Sequence, residues 1–103
     1  MAFTYDPATP AGRVRLHLAD TDAGAFVFDD AEIDAFLDLA AGDVYRASAL
    51  ASLSVASDAA RQARAVAAGN LKIDREGVAD HYRAQARAFL AMAAVGEGSI
   101  SRD

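Results

Sequence analysis

Apolar positions recur at helical spacing along most of this chain, and short turn-rich stretches separate the periodic segments. The clearest segment carries one apolar face of the kind that a helix presents to a core: Ile33, Phe36, Leu37 and Ala40. Asp29 can cap this helix while Glu32 reaches back to the Asp29 N–H, and Phe28 before the cap completes a hydrophobic staple with Ile33. Gly42 ends the segment, so the pattern predicts a helix between Asp29 and Gly42.

The region before this helix allows two interpretations. Residues 1–8 have no period and contain a proline, which predicts an irregular N-terminal arm. Thr9 followed by Pro10 is a helix-start signal, since the hydroxyl can cap and proline fits the first turn. Residues 13–18 alternate polar and apolar, as in a half-buried strand. The cap, the helical spacing of Ala11, Val14 and Leu18, and the lack of a pairing strand favour a short helix.

The second half predicts two more helices. Asp43 can cap a long helix that runs to about Ala68, where Gly69 and Asn70 supply a stop. Residues 56–65 hold no large apolar side chain, so this stretch either allows another helix to approach closely or lies on the surface. A loop over 69–77, with Asp74 as the next cap, leads to a helix over about 75–94. Its apolar face consists of Val78, Tyr82, Ala86, Phe89 and Ala93.

Length and composition fit a single all-α domain over residues 1–103. Apolar residues make up 53% of the chain, but 27 of them are alanine, which favours helices and is depleted in strands. We therefore expect a small bundle of about four helices with one long central helix and flexible termini. The helical core would span 9–95, between the arm at 1–8 and a glycine-containing tail at 96–103.

Charge divides the chain into two unequal parts. Residues 1–44 hold nine acids against two arginines, and residues 45–103 hold eight basic residues against six acids, for a net charge of −5. The two parts can attract each other within one fold, or they can join copies head to tail. The acidic balance argues against nucleic-acid binding as the main role. No apolar run of about 18 residues and no signal-peptide pattern is present, so we expect no membrane span.

Candidate catalytic and metal-binding patterns fail on spacing. The chain has no cysteine. Asp20-Thr21-Asp22 begins like an EF-hand loop, but Ala25 and Ala31 stand where glycine and glutamate are required. His17 and His81 lie on different predicted helices without a nucleophile pattern, and we expect no base beside the serines of the third helix. We therefore expect no enzyme activity, no metal and no cofactor.

The order of these features is similar to that of a known family. The run from Arg13 to Asp22 (RVRLHLADTD), followed by residues 28–33 (FDDAEI), resembles the "RVRxxLxDTD … sDxEI" opening of the head–tail connector (adaptor) proteins of tailed bacteriophages and gene transfer agents. The resemblance continues through the alanine-rich helix, the loop around Leu71–Asp74 and the helix that contains Asp80–Ala86. It covers roughly residues 10–95, and the segment before Thr9 is very short for the family.

The resemblance implies a structural role in a virion. Such proteins form a ring, typically dodecameric, between the portal and the stopper or tail-completion protein at the particle neck, where they extend the channel through which DNA passes. Terminal segments commonly dock onto the portal, so the tail is the implied portal-binding segment: Gly96, Gly98, Ser99, Ile100, Ser101, Arg102 and Asp103. An acidic channel lining would repel DNA phosphates rather than bind them.

The charge division suggests where copies of the chain would meet. The acidic side chains of the second helix, Asp34 and Asp38, are expected near one of two basic surfaces of the next copy. One surface is Arg61 with Arg64, and the other is Arg83 with Arg87. Two other functions stay open, namely a small helical interaction module, such as an antitoxin or regulatory adaptor, and a helical DNA-binding domain. Glu76 and Asp80 beside the basic residues of the fourth helix weaken the second of these.

Overall fold

A computed structural model describes residues 2–67 and 75–101 of the chain. These residues form five helices and no strand, which confirms the all-α prediction. The helices are α1 (Pro10–Leu18), α2 (Asp30–Leu39), α3 (Val44–Ser57), α4 (Ala59–Ala67) and α5 (Arg75–Ser101). Residues 2–9 are irregular, as expected for the arm.

The first helix begins and ends as its sequence predicts. The Thr9 hydroxyl accepts a hydrogen bond from Gly12 N at 3.0 Å, and Pro10 occupies the first turn. Ala19 ends the helix in the left-handed conformation at φ 56°, where its N–H bonds to carbonyls of the last turn. The strand alternative for residues 13–18 is therefore wrong, because these local caps define a helix.

The capping box of α2 is present in full. Glu32 N donates to Asp29 Oδ1 at 2.9 Å and Asp29 N donates to Glu32 Oε1 at 3.1 Å. Phe28 and Ile33 both belong to the buried core. At the far end Gly42 has φ 83°, which favours glycine, and its N–H bonds to Leu37 O at 2.8 Å. Local capping thus sets both ends of this helix.

The prediction of one long helix from Asp43 to about Ala68 is wrong, because the helix is interrupted at Asp58. This residue is extended at φ −128° and ψ 115°, and its carboxylate accepts hydrogen bonds from Ala60 N and Arg61 N. A second hydrogen bond spans the break, because the Gln62 side chain of α4 donates to Ala56 O of α3. Aspartate competes with the helical backbone for hydrogen bonds, so it starts a new helix here instead of continuing the old one.

The last helix is longer than its sequence predicts. It continues to Ser101 rather than ending near residue 94, so the backbone of 96–101 is helical where we expected a flexible tail. Extending a formed helix gains one hydrogen bond per residue, which offsets a cost of about 1 kcal/mol for each of Gly96 and Gly98. Residues 102–103 and the predicted loop and cap at 69–74 lie outside the described residues.

The core lies around α3, which contacts each of the other four helices and packs most extensively against α5. Alanines at the centre of the bundle, such as Ala47, Ala51 and Ala86, are fully buried and allow the helices to approach closely. The predicted apolar face of α5 is confirmed, with Val78 and Tyr82 among its buried members. Of the described helices, none combines the length and apolar character that a membrane span requires.

Candidate functional site: charged clusters and surfaces

A buried arginine connects the segments that carry the family resemblance. The Arg15 side chain is 1% exposed, and its Nη1 lies 3.1 Å from Asp20 Oδ2 while its Nη2 lies 3.0 Å from Asp30 Oδ1. The Phe3 ring of the arm covers the guanidinium, with Cζ 4.2 Å from the ring centroid. A buried cation requires such pairing, so Arg15 ties α1, the following loop, α2 and the arm together.

Asp20 uses its remaining hydrogen-bonding capacity to shape the loop. Its Oδ1 accepts from Val27 N at 2.8 Å, and its Oδ2 accepts from Phe28 N at 3.0 Å. Asp22, its neighbour in the DTD sequence, makes a tight turn by accepting from Gly24 N. Among the described residues, no group of three or more His, Asp or Glu side chains could hold a metal ion. Within that part of the chain, the two aspartates have structural partners.

Asp30 anchors the N-terminal arm. Its Oδ1 accepts from Thr4 N at 2.8 Å, and its own N–H donates to Ala2 O at 3.0 Å. Desolvation raises the pKa of Asp30, but the hydrogen bonds from Thr4 and Arg15 together outweigh it and hold that pKa below the ordinary value. The carboxylate therefore stays ionised and keeps the arm in place at neutral pH.

A histidine and two serines form a polar chain inside the bundle, which sequence spacing did not reveal. His17 Nδ1 lies 3.0 Å from Ser48 Oγ, so a base does stand beside one serine of α3, contrary to expectation. The His17 ring stacks against both the Tyr45 ring and the Phe89 ring. The helical period placed His17 on α1 but could not show which face of α3 it meets.

The hydrogen bonds among His17, Ser48 and Ser52 are those of a packing contact. Ser48 is fully buried, and its Oγ donates to Val44 O at 2.8 Å, which leaves Oγ to accept from His17 Nδ1–H. Ser52 Oγ lies 2.8 Å from Ser48 O and 3.0 Å from the Gln85 side-chain oxygen, which links α3 to α5. Burial lowers the pKa of His17, so the ring is neutral in the folded protein at pH 7.

The first predicted basic surface is occupied within the chain. Arg61 pairs with Glu32 of α2 and with Asp58, whose Oδ2 lies 3.4 Å from Arg61 Nη1. Its guanidinium also lies over the Phe28 ring, with Cζ 5.3 Å from the centroid. The Nε atoms of Arg61 and Arg64 are buried without a hydrogen-bond partner in the described residues. The attraction between acidic and basic parts of the sequence thus operates here inside one copy.

The second basic surface and the acidic surface both face solvent. Asp34 and Asp38 are exposed on α2, and Arg83 and Arg87 are exposed on α5. Arg83 Nη1 lies 3.1 Å from Asp80 Oδ1, in a pair whose members are both more than half exposed. An exposed ion pair of this kind adds little to the stability of the fold, and its members can readily pair with other charges instead. The side chains of the predicted portal-binding tail lie outside the part of the structure that is described.

Comparisons with family models, with curated proteins and with solved structures gave no match to this chain.

Proposed function

We propose that this chain is a head–tail connector subunit, which assembles with copies of itself between the portal and the stopper or tail-completion protein of a phage-like particle. Its work is geometric: each copy is a rigid helical unit that extends the channel through which DNA passes. The resemblance over residues 10–95 supplies the proposal, and the buried Arg15 cluster is the observation that supports it most.

The residues that carry the resemblance are the ones on which the local fold depends. Arg15 and Asp20 pair in the core, Leu18 is buried, and Asp29 and Asp30 cap α2 and hold the arm. A chance similarity of short helical motifs would not be expected to coincide with one cooperating cluster. This agreement supports the view that the "RVRxxLxDTD … sDxEI" pattern describes a structural unit.

The distribution of charge also suits an assembly subunit. Acidic side chains face solvent on α2 while basic side chains face solvent on α5, which is the arrangement that a head-to-tail contact between identical copies uses. A contact of this kind closes into a ring when the rotation between copies permits it. An interaction module that works as a monomer or a symmetric dimer has no need of two complementary surfaces.

The direct test is to remove the gene from the genome that encodes it and to image the particles by electron microscopy. We expect DNA-filled heads without attached tails, with normal particles restored when the wild-type chain is supplied separately. Imaging of the restored neck should show several copies of this chain directly below the portal. Normal tailed particles in the absence of the chain would overturn the proposal and favour an antitoxin or regulatory adaptor.

The C-terminal segment provides a second, finer test of the proposal. A chain truncated after Val95 should remain folded by circular dichroism and should fail to bind the portal protein of the same genome. The full-length chain is the control and should bind. Portal attachment by the chain that ends at Val95 would remove residues 96–103 from the docking surface.

A further inference from the structure

Two exposed charged pairs on different helices share the same spacing. Asp34 and Asp38 lie one turn apart on α2, and Arg83 and Arg87 lie one turn apart on α5. An exposed alanine follows the first member of each pair, Ala35 on α2 and Ala84 on α5. Each helix therefore presents two like charges about one helical turn apart beside a small side chain.

These pairs have no strong partners inside the copy. The side chains of Asp34, Asp38 and Arg87 make no hydrogen bond or ion pair with any other residue that the structure describes, and the Arg83 side chain has only its exposed pair with Asp80. Within the described residues, helices α2 and α5 do not contact each other, whereas α3 contacts both. The two surfaces therefore do not pair with each other there within a single copy.

The other basic surface is a poor partner for the acidic helix of a second copy. Arg61 is already paired with Glu32 and Asp58, and the positive charge of Arg64 also attracts the Asp58 carboxylate. A second copy would have to displace these contacts. At Arg83 and Arg87 the only contact to be exchanged among the described residues is the Arg83–Asp80 pair, in which both side chains are more than half exposed.

We propose that the acidic surface of one copy, Asp34 with Asp38, binds the basic surface of the next copy, Arg83 with Arg87. Equal spacing lets both carboxylates meet both guanidinium groups at once, and the alanines permit close approach of the two helices. Exposed Leu39 and Leu90 lie beside the charged pairs and add apolar contact area. Copies joined in this way form a head-to-tail series; closure into a ring rests on the proposed connector function.

Cysteine cross-linking locates the contact, because the chain has no cysteine of its own. A35C and A84C proteins, mixed and treated with a short bismaleimide, should give a mixed dimer in several-fold excess over either homodimer. A63C lies between Arg61 and Arg64 on α4 and replaces A84C in the control. Equal yields with A63C and A84C, or a predominance of homodimers, would overturn the proposal. The yield should fall at high salt, since exposed charges are screened.

Charge exchange tests the pairing itself. D34R/D38R should lose the A35C–A84C cross-link when the charges are reversed on both cysteine proteins, and R83E/R87E should lose it in the same way. A mixture of the two variants should recover it, because every α2 surface again meets an opposite α5 surface. The fourfold variant keeps the wild-type net charge of −5 and should also cross-link. Cross-linking by either single-surface variant alone, or none by the mixture, would contradict the pairing, provided that thermal melting shows folded proteins.

These measurements use the isolated chain and do not depend on any particle. If the cross-link forms as expected while particles lacking the chain are normal, the self-contact stands and the connector function fails. If the cross-link shows no preference while the chain is needed at the neck, the connector function stands and the proposed contact is wrong.

Discussion

Arg15 Nη1 and Asp20 Oδ2 lie 3.1 Å apart in an ion pair whose two side chains are almost completely buried. The pair closes the left-handed turn at Ala19, and Asp20 then holds the main chain at Val27 and Phe28. Forming a buried ion pair costs desolvation free energy. Removing only one partner costs more, because the remaining charge is then buried with neither a counter-ion nor water. Replacing one member of this pair should therefore strongly destabilise the fold.

Arg15→Met should lower the free energy of unfolding by about 3–5 kcal/mol, because it leaves the buried Asp20 carboxylate without its cation. Urea unfolding at pH 7 measures the change. Arg83→Met is the matched control, since it removes an exposed arginine from its pair with Asp80 and should cost no more than about 1 kcal/mol. Similar losses for the two variants would show that burial does not determine the importance of these pairs.

The starts of the first three helices could be predicted from the sequence, whereas the Arg15 pair could not. Caps depend on residues three or four positions apart, so Thr9, Asp29 and Asp43 identify helix starts directly. Burial of Arg15 depends on how α1 meets α2 and the arm. Arginine is also mostly exposed in proteins, so its position beside apolar residues carries no such signal.

The same distinction explains the errors at Asp58 and at the charged surfaces. Asp58 stands in a stretch of good helix formers, and only its hydrogen bonds to Ala60 and Arg61 show that it starts a helix. Charge totals indicated attraction between acidic and basic parts of the chain. They could not distinguish Arg61, which pairs inside the copy, from Arg87, which does not pair with any described residue.

Gly12→Ala should displace the N-terminal arm. A Cβ at this position would lie 1.6 Å from Asp6 O, so the backbone of the arm has to move. Hydrogen exchange of the Asp30 amide, which donates to Ala2 O, should become faster, and α1 should remain helical. Gly24→Ala is the control, because its Cβ would approach only the Asp22 side chain, at 3.3 Å. Unchanged protection at Asp30 in Gly12→Ala would contradict this account of the arm.

The stability of the protein should fall as pH decreases below about 6.5. Burial lowers the pKa of His17 from its value of 6.5 in the unfolded chain, so the unfolded state binds a proton that the folded state excludes. The contribution of neutral His17 is complete above pH 6.5 and is lost as pH falls toward the folded pKa. Urea unfolding between pH 5 and pH 8 (roughly the range in which histidine titrates) measures this slope.

The histidine slope should disappear in His17→Gln, which retains a donor for Ser48 without a titrating ring. His81→Gln is the matched control, because His81 is exposed on α5, and it should keep the slope of the wild-type chain. If the slope persisted in His17→Gln and vanished in His81→Gln, the pH dependence of stability would come from His81 and not from His17.

Ala51→Leu should destabilise the bundle by about 1–3 kcal/mol, because Ala51 is fully buried in the core and three added carbon atoms have no space there. Leucine is nearly as good a helix former as alanine, so propensity does not explain such a loss. Ala88→Leu makes the same change at an exposed position of α5 and should leave the unfolding free energy nearly unchanged. If Ala51→Leu were instead neutral, α3 would tolerate wider spacing from its neighbours, and alanine would not set the distance between the helices.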